Sequence, residues 1–442
     1  MKRDFVKILE DQREVLNKYL ERDYIDRAQV ARIDVDNPCA QIITGIRRCG
    51  KSSLCHLALK ESKVRFGYID FDDEKLEGIS SDDLNDILQA AYVVYGQFDH
   101  LFLDEVQDAP SWPLFVNRLL KGGMHLVITG SNSHMLSSEL ATHLTGRHIP
   151  IELTPFTFEE FRRYRKRSDP KTTRDFGLAR SDYEDYLTFG GFPEVYQQAD
   201  VRFYFKALYD MIVRRDIVQR KNVRTPRLLS NVTKVAMENF ATEVSCAKLA
   251  RQLEVSSVHV VQNYLGYLEE CFLVSLVPLY GRKAWERTRI GKIYAVDVAL
   301  ATFFNGSNPG DDHRGRRLEN IVYQQLRNLR ERLDYSIYYL KEDRHEVDFL
   351  LEGGGRIKRL VQVSYDISNP KTRERELAAL FAAGAKLNCT DLLLIADHEN
   401  GEEKRGDLTV RIVDIVTWLL ESPKEKGPAP LGLKGRNSAP KG

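Results

Sequence analysis

Eight consecutive residues have the spacing G-x-x-x-x-G-K-[ST] of a phosphate-binding P-loop, Gly45-Ile46-Arg47-Arg48-Cys49-Gly50-Lys51-Ser52. In such a loop the glycines let the backbone approach a phosphate, and N–H groups at the start of a helix face the anion. Lys51 would reach the β- and γ-phosphates of a nucleotide, and the Ser52 hydroxyl would bind Mg²⁺. The residues predicted to contact the nucleotide here are Gly45, Arg48, Cys49, Gly50, Lys51, Ser52 and Ser53.

Two carboxylates end a second apolar run, Phe98-Asp99-His100-Leu101-Phe102-Leu103-Asp104-Glu105. A strand that ends in this way has the form of a Walker B motif, in which Asp104 would hold Mg²⁺ through its water shell. Glu105 would orient and polarise the attacking water. An acidic strand end is common by itself, and it becomes informative here because a P-loop precedes it.

A third apolar run, from His125 to Asn132, also ends in polar residues. Thr129, Ser131 and Asn132 are therefore candidates for sensing the γ-phosphate, and we include Ser131 among the nucleotide contacts. Arg147 is a candidate cationic trigger, acting in the same chain or on a neighbouring subunit. An ordinary surface arginine near a loop is an equally good interpretation of Arg147.

These residues need a parallel sheet to bring them together. Apolar runs predict strands over 40–43, 65–71, 98–105, 125–132 and 149–153, and helical patterns separate them over 53–60 and 81–95. Strands that alternate with helices indicate a parallel α/β sheet. An amphipathic helix over 4–22 is expected to precede this core.

Composition indicates the class of protein. The chain has 442 residues, of which 43% are hydrophobic and 29% charged, and this balance fits a globular protein of two or three domains. Lys and Arg number 65 against 64 Asp and Glu, so net charge does not argue for nucleic-acid binding. No apolar run is long enough for a membrane span, and the six cysteines lack C-x-x-C spacing. We therefore expect a cytoplasmic protein with reduced thiols and no membrane contact.

The predicted fold class is α/β, with a P-loop NTPase parallel sheet followed by a winged-helix domain and a restriction-endonuclease-like α/β domain. Changes in pattern along the chain predict where each domain begins and ends. The predicted parts are an N-terminal helix over 1–23, an ATPase core over 24–155, a helical lid or linker over 156–225, a winged helix-turn-helix over 226–305, a nuclease-like domain over 306–421 and a disordered tail over 422–442.

The winged-helix prediction depends on a short helix that begins after Ser245, a longer helix from Ser257 to Glu270, and two later strands. Residues 282–292, between and at the start of those strands, contain Trp285 and five cations: Arg282, Lys283, Arg287, Arg289 and Lys292. A recognition helix and a basic wing are one way of binding DNA. A winged helix used only for protein contacts is the alternative, because the predicted recognition helix is polar but nearly uncharged.

Glu319, Asp348 and Gln362 form a fainter pattern in the last third of the chain. Oxygen ligands on a helix and two adjacent strands, followed by a lysine, are typical of a metal-dependent nuclease core. Here Ser364 stands where the lysine is expected. We therefore predict a degenerate nuclease cleft that binds metal weakly at most, with Lys371 or Arg373 as the nearest replacement cations.

Several of these segments together resemble the bacterial and archaeal AAA-type ATPases with a C-terminal DUF4143 domain. The resemblance is carried by residues 45–52, Asp104-Glu105, Thr129-Gly130-Ser131, Gly190-Gly191-Phe192-Pro193-Glu194 and 360–366, and it covers the chain from about Tyr24 to Leu420. It implies an ATPase core, a winged helix and a fold similar to restriction endonucleases, with ATP and Mg²⁺ as cofactors. The Gln362-x-Ser364 form is also usual for that family.

Three functions are consistent with these patterns. The leading hypothesis is an ATP-driven switch in which Lys51, Ser52, Asp104 and Glu105 bind and hydrolyse Mg·ATP and change the position of the later domains. A nuclease regulated by ATP is the second, and a non-hydrolysing ATP sensor that holds a protein partner is the third. DNA, contacted through residues 282–292, and a protein are the candidate partners.

Overall fold

The computed structural model describes residues 3–131, 144, 146–282, 290–304, 313–342 and 345–421. An amphipathic helix, α1 (Phe5–Leu20), begins the described chain, and the Asp4 side chain caps it by accepting from the Lys7 N–H. None of the helices in these ranges combines the length and apolarity needed to span a lipid bilayer.

Five parallel strands form the first sheet, in the order β2-β3-β4-β1-β5. The parallel α/β sheet predicted from the sequence is therefore confirmed. Because all five strands run the same way, the loops that follow them meet at one edge. The elements are β1 (Ala40–Thr44), α2 (Lys51–Ser62), β2 (Phe66–Asp70), α3 (Asp83–Tyr95), β3 (His100–Asp104), α4 (Trp112–Lys121), β4 (His125–Gly130) and β5 (His148–Glu152).

A helical segment follows the first sheet. It contains α5 (Phe158–Tyr164), α6 (Thr173–Phe189), α7 (Val201–Met211) and a π-helical stretch, Ile212–Gln219, which continues α7 without a break. Capping boxes begin α5 at Thr157 and α6 at Thr172. π-Helical turns are rare, and those that do occur are often at functional sites. The contacts of this stretch are therefore of interest for function.

The middle of the chain folds into three helices and a small antiparallel sheet, with strand order β6-β8-β7. The central strand of this sheet comes last in the chain and begins at Ile290, so Lys292 lies inside a strand. The elements are α8 (Pro226–Glu238), β6 (Thr242–Ser245), α9 (Cys246–Gln252), α10 (Val258–Glu270), β7 (Val274–Pro278) and β8 (Ile290–Ala295).

A six-stranded mixed sheet forms the C-terminal part, in the order β13-β14-β12-β11-β10-β9. It is joined to the middle sheet, because the Tyr280 N–H donates to the Tyr339 carbonyl at 2.8 Å. The elements are α11 (Val298–Phe304), α12 (Arg314–Leu333), β9 (Ser336–Glu342), β10 (His345–Gly353), β11 (Arg356–Ser364), α13 (Pro370–Leu387), β12 (Leu392–Ala396), β13 (Gly401–Arg405), β14 (Leu408–Asp414) and α14 (Ile415–Glu421).

Candidate nucleotide site and carboxylate cleft

The P-loop leaves the end of β1 and leads directly into α2. Gly45 lies so close to the residue that follows β5 that a Cβ on Gly45 would be 2.1 Å from the Leu153 carbonyl oxygen. Gly50 takes a left-handed conformation, with φ 101°, and caps α2, so its N-terminal N–H groups are presented by the loop. The two glycines of the motif are therefore required by the backbone path.

Lys51 is buried at the start of α2, with a side chain that is 3% exposed. Its Nζ is 3.4 Å from Glu105 Oε1 and donates to the Ile46 carbonyl, also at 3.4 Å. Burial by itself lowers the pKa of Lys51, but the nearby negative groups, Glu105 first, together outweigh burial and hold the pKa above its usual value. The ammonium is therefore charged, yet its contacts are long and few.

Asp104 receives hydrogen bonds on both carboxylate oxygens. Ser52 Oγ donates to Oδ1 at 3.2 Å, the Tyr68 hydroxyl donates to Oδ2 at 3.0 Å, and the Thr129 hydroxyl also donates to Oδ1. Burial and then the Glu105 charge raise the pKa of Asp104, against these hydrogen bonds. The predicted pair of magnesium-binding residues, Ser52 and Asp104, is thus in direct contact.

Glu105 has a strained backbone, with φ 47°, and its N–H donates to Thr129 Oγ1 at 3.0 Å. Gln107 Nε2 donates to its carboxylate and, at 3.4 Å, to Ser131 Oγ. Burial would raise the pKa of Glu105, but Lys51 and Arg47 lower it below its usual value. The carboxylate is therefore ionised at neutral pH, as a group that activates water must be.

The helical segment closes on the P-loop through ion pairs that the sequence did not predict. Arg47 forms a two-pronged pair with Asp216 of the π-helical stretch, at 2.7 and 3.1 Å, and both side chains are buried. Arg48 forms an exposed pair with Glu194 at 2.6 Å. The partners of each pair are 169 and 146 residues apart in the chain, which is why local pattern gave no signal for them.

Arg215, next to Asp216, lies over the carboxylates beside the nucleotide site. Its guanidinium is 2.6 Å from Asp72 Oδ1 and 3.1 Å from Asp108 Oδ2. Asp72 follows β2 and Asp108 follows the Walker B strand. One π-helical stretch therefore contacts both the P-loop and the acidic edge of the sheet.

Other residues predicted to act at this site have different surroundings. The Cys49 thiol is fully buried and donates to the Leu153 carbonyl at 3.4 Å, while Ser53 is exposed on α2.

Arg147 immediately precedes β5, beside Ala40, at the amino-terminal edge of the sheet. The length of β1 separates it from the P-loop, roughly 16 Å at about 3.3 Å per residue. Within one chain Arg147 is thus remote from the site, and an action on a neighbouring subunit stays a prediction. Asn132 lies outside the described residues.

Two of the C-terminal residues predicted to form a nuclease-like cleft, Glu319 and Asp348, come together around a lysine. Lys292 Nζ of β8 is 3.1 Å from Glu319 Oε1, 2.7 Å from Glu346 Oε1 and 2.7 Å from Asp348 Oδ1. We call Glu319, Glu346 and Asp348 the carboxylate cleft. Burial would lower the pKa of Lys292, but the carboxylates, Asp348 first, raise it well above its usual value. The Lys292 ammonium is therefore charged, and its charge is neutralised by the three carboxylates.

Three residues named in the predictions for this region have contacts that the sequence did not indicate. The Gln362 amide is used in other hydrogen bonds: its Oε1 accepts from the Asp348 N–H at 3.2 Å, and its Nε2 donates to Glu376 at 2.7 Å. Lys292 is not part of an exposed basic wing. Arg373, named as a replacement cation, pairs with Glu399 and Glu403 at 2.8 and 3.0 Å. The other candidate, Lys371, lies in the first turn of α13. Lys283, Trp285, Arg287 and Arg289 lie outside the described residues.

Three family models match the chain. One is described as an AAA domain and covers residues 37–162, and the other two are domains of unknown function, DUF8612 over residues 180–311 and DUF4143 over residues 314–416. The first match contains the P-loop and the Walker B strand. The last contains the carboxylate cleft.

Two curated relatives match over most of their length. An uncharacterized protein of Methanocaldococcus jannaschii is 32% identical over 396 residues, which are 86% of this chain and 88% of that protein. A second uncharacterized protein, of Haemophilus influenzae, is 27% identical over 403 residues, or 87% of this chain and 95% of that protein.

Solved structures are more distant. A STAND-type signal-transduction ATPase with a tetratricopeptide repeat sensor, from Pyrococcus horikoshii, is 13% identical with a TM-score of 0.27, over 69% of this chain and 45% of its own. AMPPCP-bound DnaA of Aquifex aeolicus is 17% identical with a TM-score of 0.26, over 58% and 86%. At these TM-scores the likenesses carry no argument about function.

Proposed function

We propose a function from one premise: this chain belongs to the family of AAA-type proteins with a C-terminal DUF4143 domain. The proposed function is that of a molecular switch that binds and slowly hydrolyses Mg·ATP. The observation that carries it is the arrangement of Lys51, Ser52, Asp104 and Glu105 at the carboxyl edge of one parallel sheet.

The residues of the site fit Mg·ATP. At Gly45 there is no room for a side chain, and at Gly50 the backbone takes a left-handed conformation that bends the loop. The bound nucleotide would supply the phosphoric anhydride and its metal ion. Lys51 would hold the terminal phosphates, Ser52 and Asp104 would hold Mg²⁺, and Glu105 would orient water. The long contact between Lys51 and Glu105 would open so that each side chain takes its own partner.

The contacts of the P-loop suggest how the switch would be read. Arg47 joins the loop to the π-helical stretch through Asp216. On the other side, Arg27 donates to the Cys49 carbonyl at 3.2 Å and to the Thr154 carbonyl at 2.7 Å. Thr154 in turn donates to Asn328 of α12 at 3.0 Å. A change in the loop would therefore reach both the helical segment and α12, which supplies Glu319 to the carboxylate cleft.

Hydrogen exchange measured with and without Mg·ATP, together with phosphate release, tests this function. We expect steady hydrolysis and, on ATP binding, changed exchange in the π-helical stretch and in α12. Lys51→Ala should remove both effects. A protein that binds ATP but releases no phosphate would support the sensor hypothesis, and a protein that does not bind ATP would contradict both.

DNA is a second candidate partner, favoured by one observation. The middle elements follow the order helix, strand, two helices and two strands of a winged helix, and the polar residues Ser256, Ser257 and His259 are exposed at the start of α10. We propose weak, salt-sensitive DNA binding through this helix and the basic residues before β8, without Lys292. Neutralising Arg282, Lys283 and Arg287 together should flatten the salt dependence of binding. Unchanged binding in that variant would favour a winged helix that contacts protein alone.

A further inference from the structure

The carboxylate cleft has the surroundings of a cation site and already holds a cation. Three carboxylates converge on one ammonium at 2.7 to 3.1 Å, and the Lys292 side chain is only 5% exposed. Carboxylate oxygens grouped in this way are the ligands that hard divalent metals such as Mg²⁺ and Mn²⁺ prefer. We propose that Lys292 is the resident cation of this cleft, and that its ammonium takes the place of a divalent metal ion and excludes it.

The cleft is organised around that position. Asp348 Oδ2 accepts from the Val363 N–H at 2.9 Å, which turns Oδ1 towards Lys292. The Tyr294 hydroxyl donates to Glu319 Oε1 at 2.7 Å, and this oxygen is also the one that Lys292 contacts. Asp348 and Glu319 thus each have a second contact that fixes the carboxylate, as ligands of a preorganised metal site do.

The lysine is fixed as well. Lys292 lies in the central strand of the middle sheet, between Glu243 on β6 and Val277 on β7. Asn320 of α12 binds the same strand from the cleft side, since its side chain accepts from the Ala295 N–H at 2.9 Å and donates to the Ala295 carbonyl at 3.0 Å. The paired strand therefore fixes the backbone of Lys292, and the three ion pairs hold its ammonium in the cleft.

The Lys292 ammonium is the positive charge that neutralises Glu319, Glu346 and Asp348. It follows that removing the charge of Lys292 should convert the cleft into a metal site, because three mutually repelling carboxylates would be left without a counter-ion.

Mn²⁺ binding to the full chain without nucleotide tests the proposal. Lys292→Met keeps the length of the side chain and removes its charge, and it should bind one Mn²⁺ more per chain than the wild type. Lys292→Met combined with Asp348→Asn should lose that ion. Lys341→Met is the matched control, because Lys341 also pairs across the two sheets, with Glu243 at 3.1 Å, but lies outside the cleft. It should bind no more Mn²⁺ than the wild type.

Two results would overturn the proposal. The first is equal Mn²⁺ binding by Lys292→Met and the wild type. The second is a wild-type Mn²⁺ ion that Asp348→Asn removes, since the lysine would then not exclude metal. If Lys292→Met is unfolded without metal, recovery of its circular dichroism on addition of Mn²⁺ supports the proposal, and no recovery at saturating Mn²⁺ contradicts it.

Discussion

Two buried lysines face carboxylates in this molecule, and their surroundings differ in one decisive way. Lys51 has a single carboxylate near it, at 3.4 Å, beside a loop whose backbone is shaped by two glycines. Lys292 has three carboxylates at 2.7 to 3.1 Å and lies in a paired strand. The first lysine can exchange its weak contact for an incoming anion. The ammonium of the second is already neutralised by three carboxylates.

The comparison shows that a charged residue beside carboxylates is not by itself an active site. What separates the two regions is the number of carboxylates that neutralise each lysine and how close they are.

Lys51→Ala should abolish ATP binding. The ammonium is the main cation that would meet the β- and γ-phosphates, and charge-assisted contacts of this kind are among the strongest in proteins. Lys60→Ala is the matched control, because Lys60 lies on the same helix, is exposed, and donates to the Arg22 carbonyl. Titration with a fluorescent ATP analogue measures both variants. Wild-type affinity in Lys51→Ala would remove the distinction between the two lysines.

The sequence was sufficient to predict the region of Lys51, because its parts follow one another. A strand, a glycine loop and a helix are contiguous, and Asp104 ends a strand whose direction is fixed by the parallel sheet. The cleft could be predicted only in part. Glu319 and Asp348 were found from their places on a helix and a strand, but Lys292 comes from another sheet. Its contact with them depends on how two sheets abut, and no local pattern specifies that.

Asp216→Ala should destabilise the protein by about 3 to 5 kcal/mol, because it leaves the buried Arg47 guanidinium without its partner. Glu194→Ala removes the corresponding partner of Arg48, but that pair is exposed and should cost about 0 to 1 kcal/mol. Urea unfolding of both variants measures the difference. Equal losses would mean that the π-helical stretch is not held to the P-loop by this ion pair.

Glu105→Gln should leave ATP bound and slow its hydrolysis by a factor on the order of a hundred or more, as expected when a group that activates water is lost. The amide is close in size to the carboxylate, so the fold should be kept, although the ion pair with Lys51 is removed. Single-turnover phosphate release, with ATP binding measured in parallel, distinguishes slow chemistry from weak binding. Unchanged turnover would assign the positioning of water to another residue.

The smallest effect is expected at the cleft. We predict that the wild-type protein cleaves neither single- nor double-stranded DNA with Mg²⁺ or Mn²⁺, with or without ATP. Cleavage needs a metal ion to activate water and a cation to stabilise the charge that develops on the phosphate. Ser364 cannot supply that cation. Lys292 cannot supply it either, because three carboxylates neutralise its charge, and its ammonium occupies the place of the metal. Nicking of a supercoiled plasmid is a sensitive assay for this. Nicking that Asp348→Ala removes would show that Lys292 assists catalysis. Lys51 and Lys292 would then both be able to contact a phosphate, one in a nucleotide and the other in DNA.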